Sequence, residues 1–210
     1  MMAFANELQL MKDNANVTFD KISHADYAVT GAMTTITWAG GPVMLDDFFY
    51  GRKDATSESE CNAITNFPTA ENYKDNMMAK GFTAEQVVAL ANCEAFGVVR
   101  SPENERWSTC PRFDNYYYQA LLTSSDDENL PLQRALMGND EMRGIVEKFA
   151  GDKEEFFKVF KTAFVQLCEL GYSTETDLVD IEKFLLDEPG TKLRFMRMFD
   201  DEQEEFNKKQ

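Results

Sequence analysis

The sequence has few of the residues that hold metal ions. It contains a single histidine, His24, and four cysteines, at positions 61, 93, 110 and 168. None of the cysteines forms a CxxC pair, so the spacing predicts neither a zinc site nor a disulfide framework. We expect four free thiols in a reducing compartment, with Cys93 as a small buried apolar residue. A thiol-based redox role for Cys93 or Cys110 is an alternative that no motif supports.

Long apolar runs and an excess of positive charge are also missing. No stretch approaches the roughly 18 apolar residues that a membrane-spanning helix needs. The first ten residues, MMAFANELQL, carry no basic region, so a targeting peptide is absent or was removed before this chain was numbered. The formal net charge of −16 argues against nucleic acid and anionic lipid as partners. An acidic surface suits a basic protein partner, and simple solubility explains it as well.

Apolar residues are abundant enough for a folded domain. They make up 43% of the 210 residues, which allows one domain with a sizeable core. Their spacing predicts helices over residues 3–12 and 21–37, whereas residues 39–70 are loop-like. The face of the 21–37 helix comprises Ile22, Ala25, Val29, Met33 and Ile36. A later stripe that is predicted to pack in the core comprises Phe156, Phe157, Phe160, Phe164 and Leu167.

The stretch from Phe82 to Gly97 has the clearest helix signals. Thr83 and Gln86 have capping-box spacing, which predicts a helix that begins at Thr83. An apolar face follows, and Gly97 is suited to end the helix. Glu94 departs from this pattern, because it places a carboxylate at the negative end of the helix dipole.

Several segments resemble one protein family, in order, over residues 3–172. The Glu94 stretch, VVALANCEAFG, resembles the VVALSGAHTLG helix of class I haem peroxidases, the group of ascorbate and cytochrome c peroxidases. The segments ISHADYAVTGAMTTITWAGGP, FFYGRKD and LPLQRALMGNDEMRGIVEKFAGDKEEFF are similar to further family segments. The resemblance implies an all-α, haem-peroxidase-like domain over residues 1–172 that lacks the N-terminal distal helices. Residues 173–210 are predicted to be a helical C-terminal extension, in which Leu178, Ile181 and Leu185 have helical spacing.

The same resemblance implies that the haem site has changed. Glu94 stands where the family has the histidine that binds haem iron, and Gln133 stands where it has the aspartate that orients this histidine. The family's distal pattern, similar to RLAWHDAGT, occurs nowhere in the sequence. The other degenerate haem-site positions are Tyr50, Arg100 and Trp107, and the degenerate cation-site positions are Ser108 and Asp114. We therefore expect no haem or other cofactor, no bound metal and no catalytic residue.

These replacements predict a pseudoenzyme, that is, a member of the family that is not an enzyme. The predicted role is an accessory subunit of a larger assembly, namely a mitochondrial respiratory-chain complex such as complex I. Its partners would be other protein subunits, with a second peroxidase-like chain as one candidate, at the periphery of a membrane complex. Two alternatives stay open besides the thiol-based one: a haem-binding peroxidase or haem sensor with Glu94 near the iron, and a cytoplasmic location.

Partner contacts are predicted on apolar side chains that the absent distal helices would cover and on the C-terminal extension. These residues are Val29, Met33, Ile36, Leu185, Phe195, Met196 and Phe199. The extension is too apolar for a solvated linker, so it either folds back on the domain or covers a partner.

Overall fold

The part of the chain that the computed structural model describes is mainly helical. It comprises residues 23–44, 47–57, 69–94, 112–124, 130–173 and 177–180. In chain order its elements are α1 (His24–Trp38), β1 (Phe49–Tyr50), α2 (Tyr73–Ala79), α3 (Ala84–Ala91), a 3₁₀ turn (Asn92–Glu94), α4 (Tyr116–Thr123), α5 (Pro131–Met137), α6 (Asp140–Gly151), α7 (Lys153–Glu169) and β2 (Val179–Asp180). This order confirms the predicted all-α class, while the predicted helix over residues 3–12 lies outside the described residues. Within these ranges no helix is long and apolar enough to cross a membrane.

The chain divides into two compact units. The first unit comprises residues 1–38, 44–56 and 169–210, and its described parts hold α1, β1 and β2. The second unit comprises residues 39–43 and 57–168, and it holds α2 to α6 and nearly all of α7. The first unit is thus assembled from segments that are far apart in sequence. The predicted domain boundary between residues 172 and 173 stays a prediction.

In the first unit, side chains satisfy the open backbone amides at the start of α1. The Asp54 carboxylate accepts hydrogen bonds from His24 N and Ala25 N, both at 2.9 Å. Ser23 Oγ accepts from Asp26 N at 3.0 Å. A carboxylate at this end also interacts favourably with the helix dipole. The loop segment that carries Asp54 therefore fixes where α1 begins.

Two short strands join distant parts of the first unit. β1 pairs antiparallel with β2, so that Phe49 lies opposite Asp180 and Tyr50 opposite Val179. Leu178, directly before β2, is buried. The predicted helical face that includes Leu178 is therefore wrong at this point, because pairing with a distant strand overrides the local helical spacing. Here the chain folds back on its own unit, and the remainder of the extension lies outside the described residues.

α1 turns most of its predicted partner surface inward. Met33 is 0% exposed and Ile36 is 4% exposed, and Val29 is half-buried. This chain therefore covers Met33 and Ile36 itself, so the predicted partner contacts at these two residues are not accessible in the folded chain. The other predicted partner residues, namely Leu185, Phe195, Met196 and Phe199, lie outside the described residues.

The second unit is organised around a cluster of aromatic rings. Among its described residues, the fully buried rings are Phe113, Tyr118, Phe149, Phe156 and Phe160. The ring centroid of Phe156 lies 5.0 Å from that of Tyr118 and 5.7 Å from that of Phe149, which brings α7, α4 and α6 together. This packing confirms the predicted core role of Phe156 and Phe160, whereas Leu167 at the end of the stripe is exposed.

α3 begins as the sequence predicts. Gln86 N donates to Thr83 Oγ1 at 3.2 Å, and Thr83 N donates to Gln86 Oε1 at 2.9 Å, which together form a capping box. The following residues of α3, from Val87 to Ala91, are all buried. α3 packs against α6, which in turn packs against α5.

Candidate functional site

Gln133 is a buried polar side chain in the first turn of α5. Pro131 begins the helix, where its missing N–H leaves no bond unmade. Only 1% of the Gln133 surface is exposed. Its Oε1 accepts from Leu130 N at 2.8 Å, which satisfies an amide that the helix leaves open. Its Nε2 has no hydrogen-bond partner among the described residues, so this position holds a buried amide with an unused donor.

Side chains fasten the end of α3 to the start of α4. Asn92 Nδ2 donates to Asp114 O at 3.0 Å, and the Tyr118 hydroxyl donates to the carbonyl oxygens of residues 88 and 89, each at 3.1 Å. Asp114 Oδ1 accepts from Tyr116 N at 2.9 Å. The carboxylate at a predicted degenerate cation-site position therefore helps to start α4. The 3₁₀ turn that ends at Glu94 follows directly from this fastened segment.

Several predicted site residues cannot be placed by the structure. The side chain of Glu94 and the whole of Arg100, Trp107 and Ser108 lie outside the described residues. Gln133 belongs to the second unit and Tyr50 to the first. Burial raises the pKa of Tyr50, more than its hydrogen bond with Thr30 lowers it, so the phenol keeps its proton at neutral pH. The assignment of Tyr50 as a degenerate haem-site position stays a prediction.

A buried ion pair between Asp26 and Arg52 is the polar feature that sequence reasoning missed. Arg52 Nη1 lies 2.8 Å from Asp26 Oδ1, and it also donates to Phe49 O at 2.5 Å. Gly51 N donates to Asp26 Oδ2 at 2.9 Å. The guanidinium lies 4.8 Å from the centre of the Phe48 ring, within range of a cation–π interaction. The only signal in the sequence was a carboxylate, Asp26, on an otherwise uncharged helix.

His24 is exposed, and it interacts with the residue that caps α1. Its Nδ1 lies 2.8 Å from Asp54 Oδ2, and 46% of its side chain is exposed. Partial burial alone would raise the pKa of the Asp54 carboxyl, but the hydrogen bonds from His24 and Ala25 outweigh it and lower the pKa below its ordinary value. His24 is thus engaged at a helix start in the first unit.

The described cysteines give little support to thiol chemistry. Cys93 is exposed, which corrects the prediction of a buried residue, and it forms no disulfide. Its thiol nevertheless lies in surroundings that desolvate it, and these together with nearby Cys168 raise the pKa of the thiol to about 12. The surroundings of the sulfur matter more for reactivity than the exposure of the residue, and such a thiol carries little thiolate at neutral pH. Over the described ranges, no group of three or more His, Cys, Asp or Glu side chains could hold a metal ion.

The described side chains do not fit a histidine-ligated haem. The one histidine of the sequence, His24, lies at the start of α1, where its Nδ1 is 2.8 Å from Asp54 Oδ2. Gln133 cannot orient an imidazole as a carboxylate would, because its Oε1 already accepts from Leu130 N. Its remaining polar atom, Nε2, is a donor, and an imidazole N–H is a donor too.

Comparison with known proteins gives one consistent group of matches. A sequence model of the family described as Peroxidase matches residues 6–152. A putative heme-binding peroxidase of Cryptococcus neoformans var. neoformans serotype D (strain B-3501A) is 33% identical over 164 residues, covering 71% of this chain and 51% of the relative. Cytosolic L-ascorbate peroxidase 1 of Oryza sativa subsp. japonica is 30% identical over 164 residues, covering 72% of this chain and 63% of the relative.

A third relative extends the range of cellular locations. Chloroplastic L-ascorbate peroxidase T of Arabidopsis thaliana is 27% identical over 192 residues, covering 78% of this chain and 44% of the relative. The chain therefore spans about half the length of the curated relatives it matches. All three relatives are named peroxidases, which overturns the prediction that this chain is not an enzyme. That prediction rested on the replaced residues at positions 94 and 133 and on the missing distal pattern.

Proposed function

Because the chain belongs to the peroxidase family, which confirms its resemblance to class I haem peroxidases, we propose that it works as a peroxidase-fold subunit of a larger protein assembly. The proposed assembly is a mitochondrial respiratory-chain complex such as complex I. The partners are other protein subunits, with a second peroxidase-like chain as one candidate. A subunit role of this kind depends on the helical scaffold and on its surface.

The observation that carries this proposal is the buried amide of Gln133. It supports a role that does not depend on an oriented imidazole, because Oε1 is used by Leu130 N and Nε2 is a donor. A side chain that stabilises the start of α5 serves the scaffold directly. We therefore assign a structural role to the Gln133 side chain.

The surface of the described residues gives further support. Trp38 is 60% exposed in the first unit, and Tyr116 is 52% exposed in the second. Tryptophan and tyrosine are enriched among the residues that dominate binding at protein interfaces. The net charge of −16 favours partners with basic surfaces. These two aromatic side chains replace Met33 and Ile36 as candidate partner contacts.

The mitochondrial part of the proposal rests on the resemblance to a family with organellar members. The names of the relatives place them in the cytosol, the chloroplast and the peroxisome. A cytoplasmic location is therefore the alternative that these names favour. Fractionation of cells that carry a tagged copy of the gene at its natural locus separates the two locations.

The assembly is tested by native electrophoresis and co-purification from those fractions. We expect the tagged chain to migrate with a complex much larger than itself and to co-purify with a constant set of subunits. Trp38→Ser and Tyr116→Ser variants should weaken that association, and Leu122→Ser serves as the matched control for an exposed apolar side chain on the same helix as Tyr116. A free monomer in the cytosol would contradict the proposal.

A second candidate function is a haem-binding peroxidase with Glu94 near the iron. It is favoured by the names of the relatives, one of which is a putative heme-binding peroxidase and others of which are L-ascorbate peroxidases. Titration of the purified chain with haem, followed in the Soret region, tests binding. Peroxide-dependent oxidation of ascorbate tests activity. A saturable one-to-one complex that is lost in Glu94→Ala would support this candidate, and no saturation would exclude it.

A further inference from the structure

Glu169 adds another carboxyl group near the buried pair of Asp26 and Arg52. It is the last residue of α7, and it belongs to the first unit together with that pair. The residue as a whole is half-buried, but its Oε1 is closed to solvent and has no hydrogen-bond partner among the described residues. Buried polar atoms in folded proteins nearly always have such a partner. The ionised carboxylate is therefore the costly form of this side chain.

Two described side chains, Arg52 and Asp47, act on Glu169 through their charge. The guanidinium of Arg52 is already in contact with Asp26 Oδ1 at 2.8 Å, and the charge of Asp47 is negative. Burial raises the pKa of the Glu169 carboxyl more than Arg52 lowers it, and Asp47 raises it further. One guanidinium is thus shared among three carboxyl groups, and a proton on Glu169 reduces the excess of negative charge.

The linking segment, defined as residues 169–173, leads from α7 towards β2 and is held at the same place. Tyr172 N donates to Glu169 O at 3.0 Å, and the centre of the Tyr172 ring lies 5.6 Å from the guanidinium of Arg52, within range of a cation–π interaction. Gly171 has a φ of 85°, a left-handed conformation that suits the end of a helix, and open space surrounds the position of an added side chain. A change at Glu169 therefore acts on the segment that leads to the strand pair.

We propose that Glu169 is a protonation switch for the linking segment. With its proton, the carboxyl group is neutral, has a donor as well as acceptors, and stays beside Arg52. Without its proton, the carboxylate turns towards water and draws the linking segment away from Arg52, because a buried charge without a partner is costly. The segment is thus held in mildly acidic solution and released as the pH rises. This inference does not rest on the proposed subunit role.

Glu169→Gln tests the switch through stability. The folded chain holds the Glu169 proton more tightly than the unfolded chain does, so stability falls as the pH rises from the ordinary carboxyl pKa through the raised folded value. Glutamine keeps the shape and has no charge at any pH. The folding equilibrium constant of the variant, divided by that of the unsubstituted chain, should therefore rise by about threefold or more between about pH 4.5 and about pH 8. Urea unfolding at each pH measures this ratio.

Glu154→Gln is the matched control, since Glu154 is an exposed glutamate in the first turn of the same helix. Its ratio should stay within about twofold over the same range. Carbon NMR of the Glu169 carboxyl in the unsubstituted full chain, assigned through the residue's own side-chain carbons, follows the titration directly, so the test does not require the variant to fold. The ring signals of Tyr172 should shift with the same midpoint.

The proposal is supported by a Glu169 carboxyl that titrates above the ordinary value for glutamate, with the Tyr172 ring following it. Three results would each overturn it. The first is a stability ratio for Glu169→Gln that does not change with pH. The second is a carboxyl that titrates at or below the ordinary value. The third is a set of Tyr172 ring signals that does not follow the titration of Glu169.

Discussion

A buried ion pair in the first unit and a buried amide in the second differ in how fully their hydrogen bonds are satisfied. In the first unit, Asp26 and Arg52 satisfy each other and are joined by hydrogen bonds with Gly51 N and Phe49 O. In the second unit, Gln133 uses one polar atom and leaves the other without a partner among the described residues. A fully satisfied buried group stabilises a fold, whereas a buried donor without a partner lowers its stability. The Asp26–Arg52 pair and the Gln133 amide therefore represent these two cases.

Removing one member of the satisfied pair should have the largest effect. Arg52→Met keeps an unbranched apolar stem near the Phe48 ring but leaves the Asp26 carboxylate buried without its cation. We expect a loss of about 3–5 kcal/mol in the free energy of unfolding, because an uncompensated buried charge is costly. Urea unfolding followed by circular dichroism measures this loss.

The control for that variant is Arg143→Met. Arg143 pairs with Glu147 at 3.5 Å, and more than half of each side chain is exposed. Exposed pairs contribute less than about 1 kcal/mol, so the control should stay close to the unsubstituted protein. Equal losses at positions 52 and 143 would show that burial does not decide the value of the Asp26–Arg52 pair.

Removing the cap of α1 should have an intermediate effect that depends on pH. Asp54→Ala leaves His24 N and Ala25 N without their acceptor, at a cost of about 0.5–2 kcal/mol at neutral pH. The folded state lowers the pKa of Asp54, so its contribution is present above the ordinary carboxyl pKa and is lost as the pH falls through the folded value.

The stability difference between Asp54→Ala and the unsubstituted protein should therefore shrink in strong acid, which thermal unfolding at a series of pH values can show. Asp54→Asn is the matched control, because it keeps one acceptor oxygen without the charge and should lose less than Asp54→Ala. A stability difference between Asp54→Ala and the unsubstituted protein that is the same at every pH would contradict the assignment of Asp54 as a charged cap.

Removing a satisfied hydroxyl in the second unit should have the smallest effect and sharpens the comparison with Gln133. Tyr118→Phe deletes the hydroxyl that bonds the carbonyls of residues 88 and 89, and Tyr118 is fully buried. We expect a loss of about 0.5–1.5 kcal/mol in the free energy of unfolding. Tyr116→Phe, at an exposed position of the same helix, should change it by less than about 0.5 kcal/mol. If both changes are alike, the hydroxyl does not fasten α4 to α3.

Local patterns in the sequence predicted the helices well. Thr83 and Gln86 predicted the start of α3, because a capping box needs only residues three apart. The phenylalanine stripe predicted the buried face of α7 through Phe156 and Phe160. Both signals involve residues that are close together in the sequence, so they can be recognised without knowledge of the fold.

Features that depend on distant partners could not be predicted in the same way. Leu178 has helical spacing with Ile181 and Leu185, yet β2 forms directly after it because β1 is available to pair. Met33 and Ile36 are covered by other parts of the chain, which one helix pattern cannot reveal. At the candidate site, the sequence shows a glutamine at position 133, but only the hydrogen bond to Leu130 N shows which of its atoms remains unused.

The pairing of residue 49 with residue 180 has a consequence for synthesis on the ribosome. The first unit is interrupted by the second, since residues 57–168 lie between its two halves. While the chain emerges, the second unit is complete before the partner strand of β1 has been made. Domains tend to fold as units during translation. The backbone groups of β1, within residues 44–56, therefore stay unpaired until β2 has been synthesised. Nascent chains stalled before and after residue 180 leaves the exit tunnel therefore separate the folding of the two units in time.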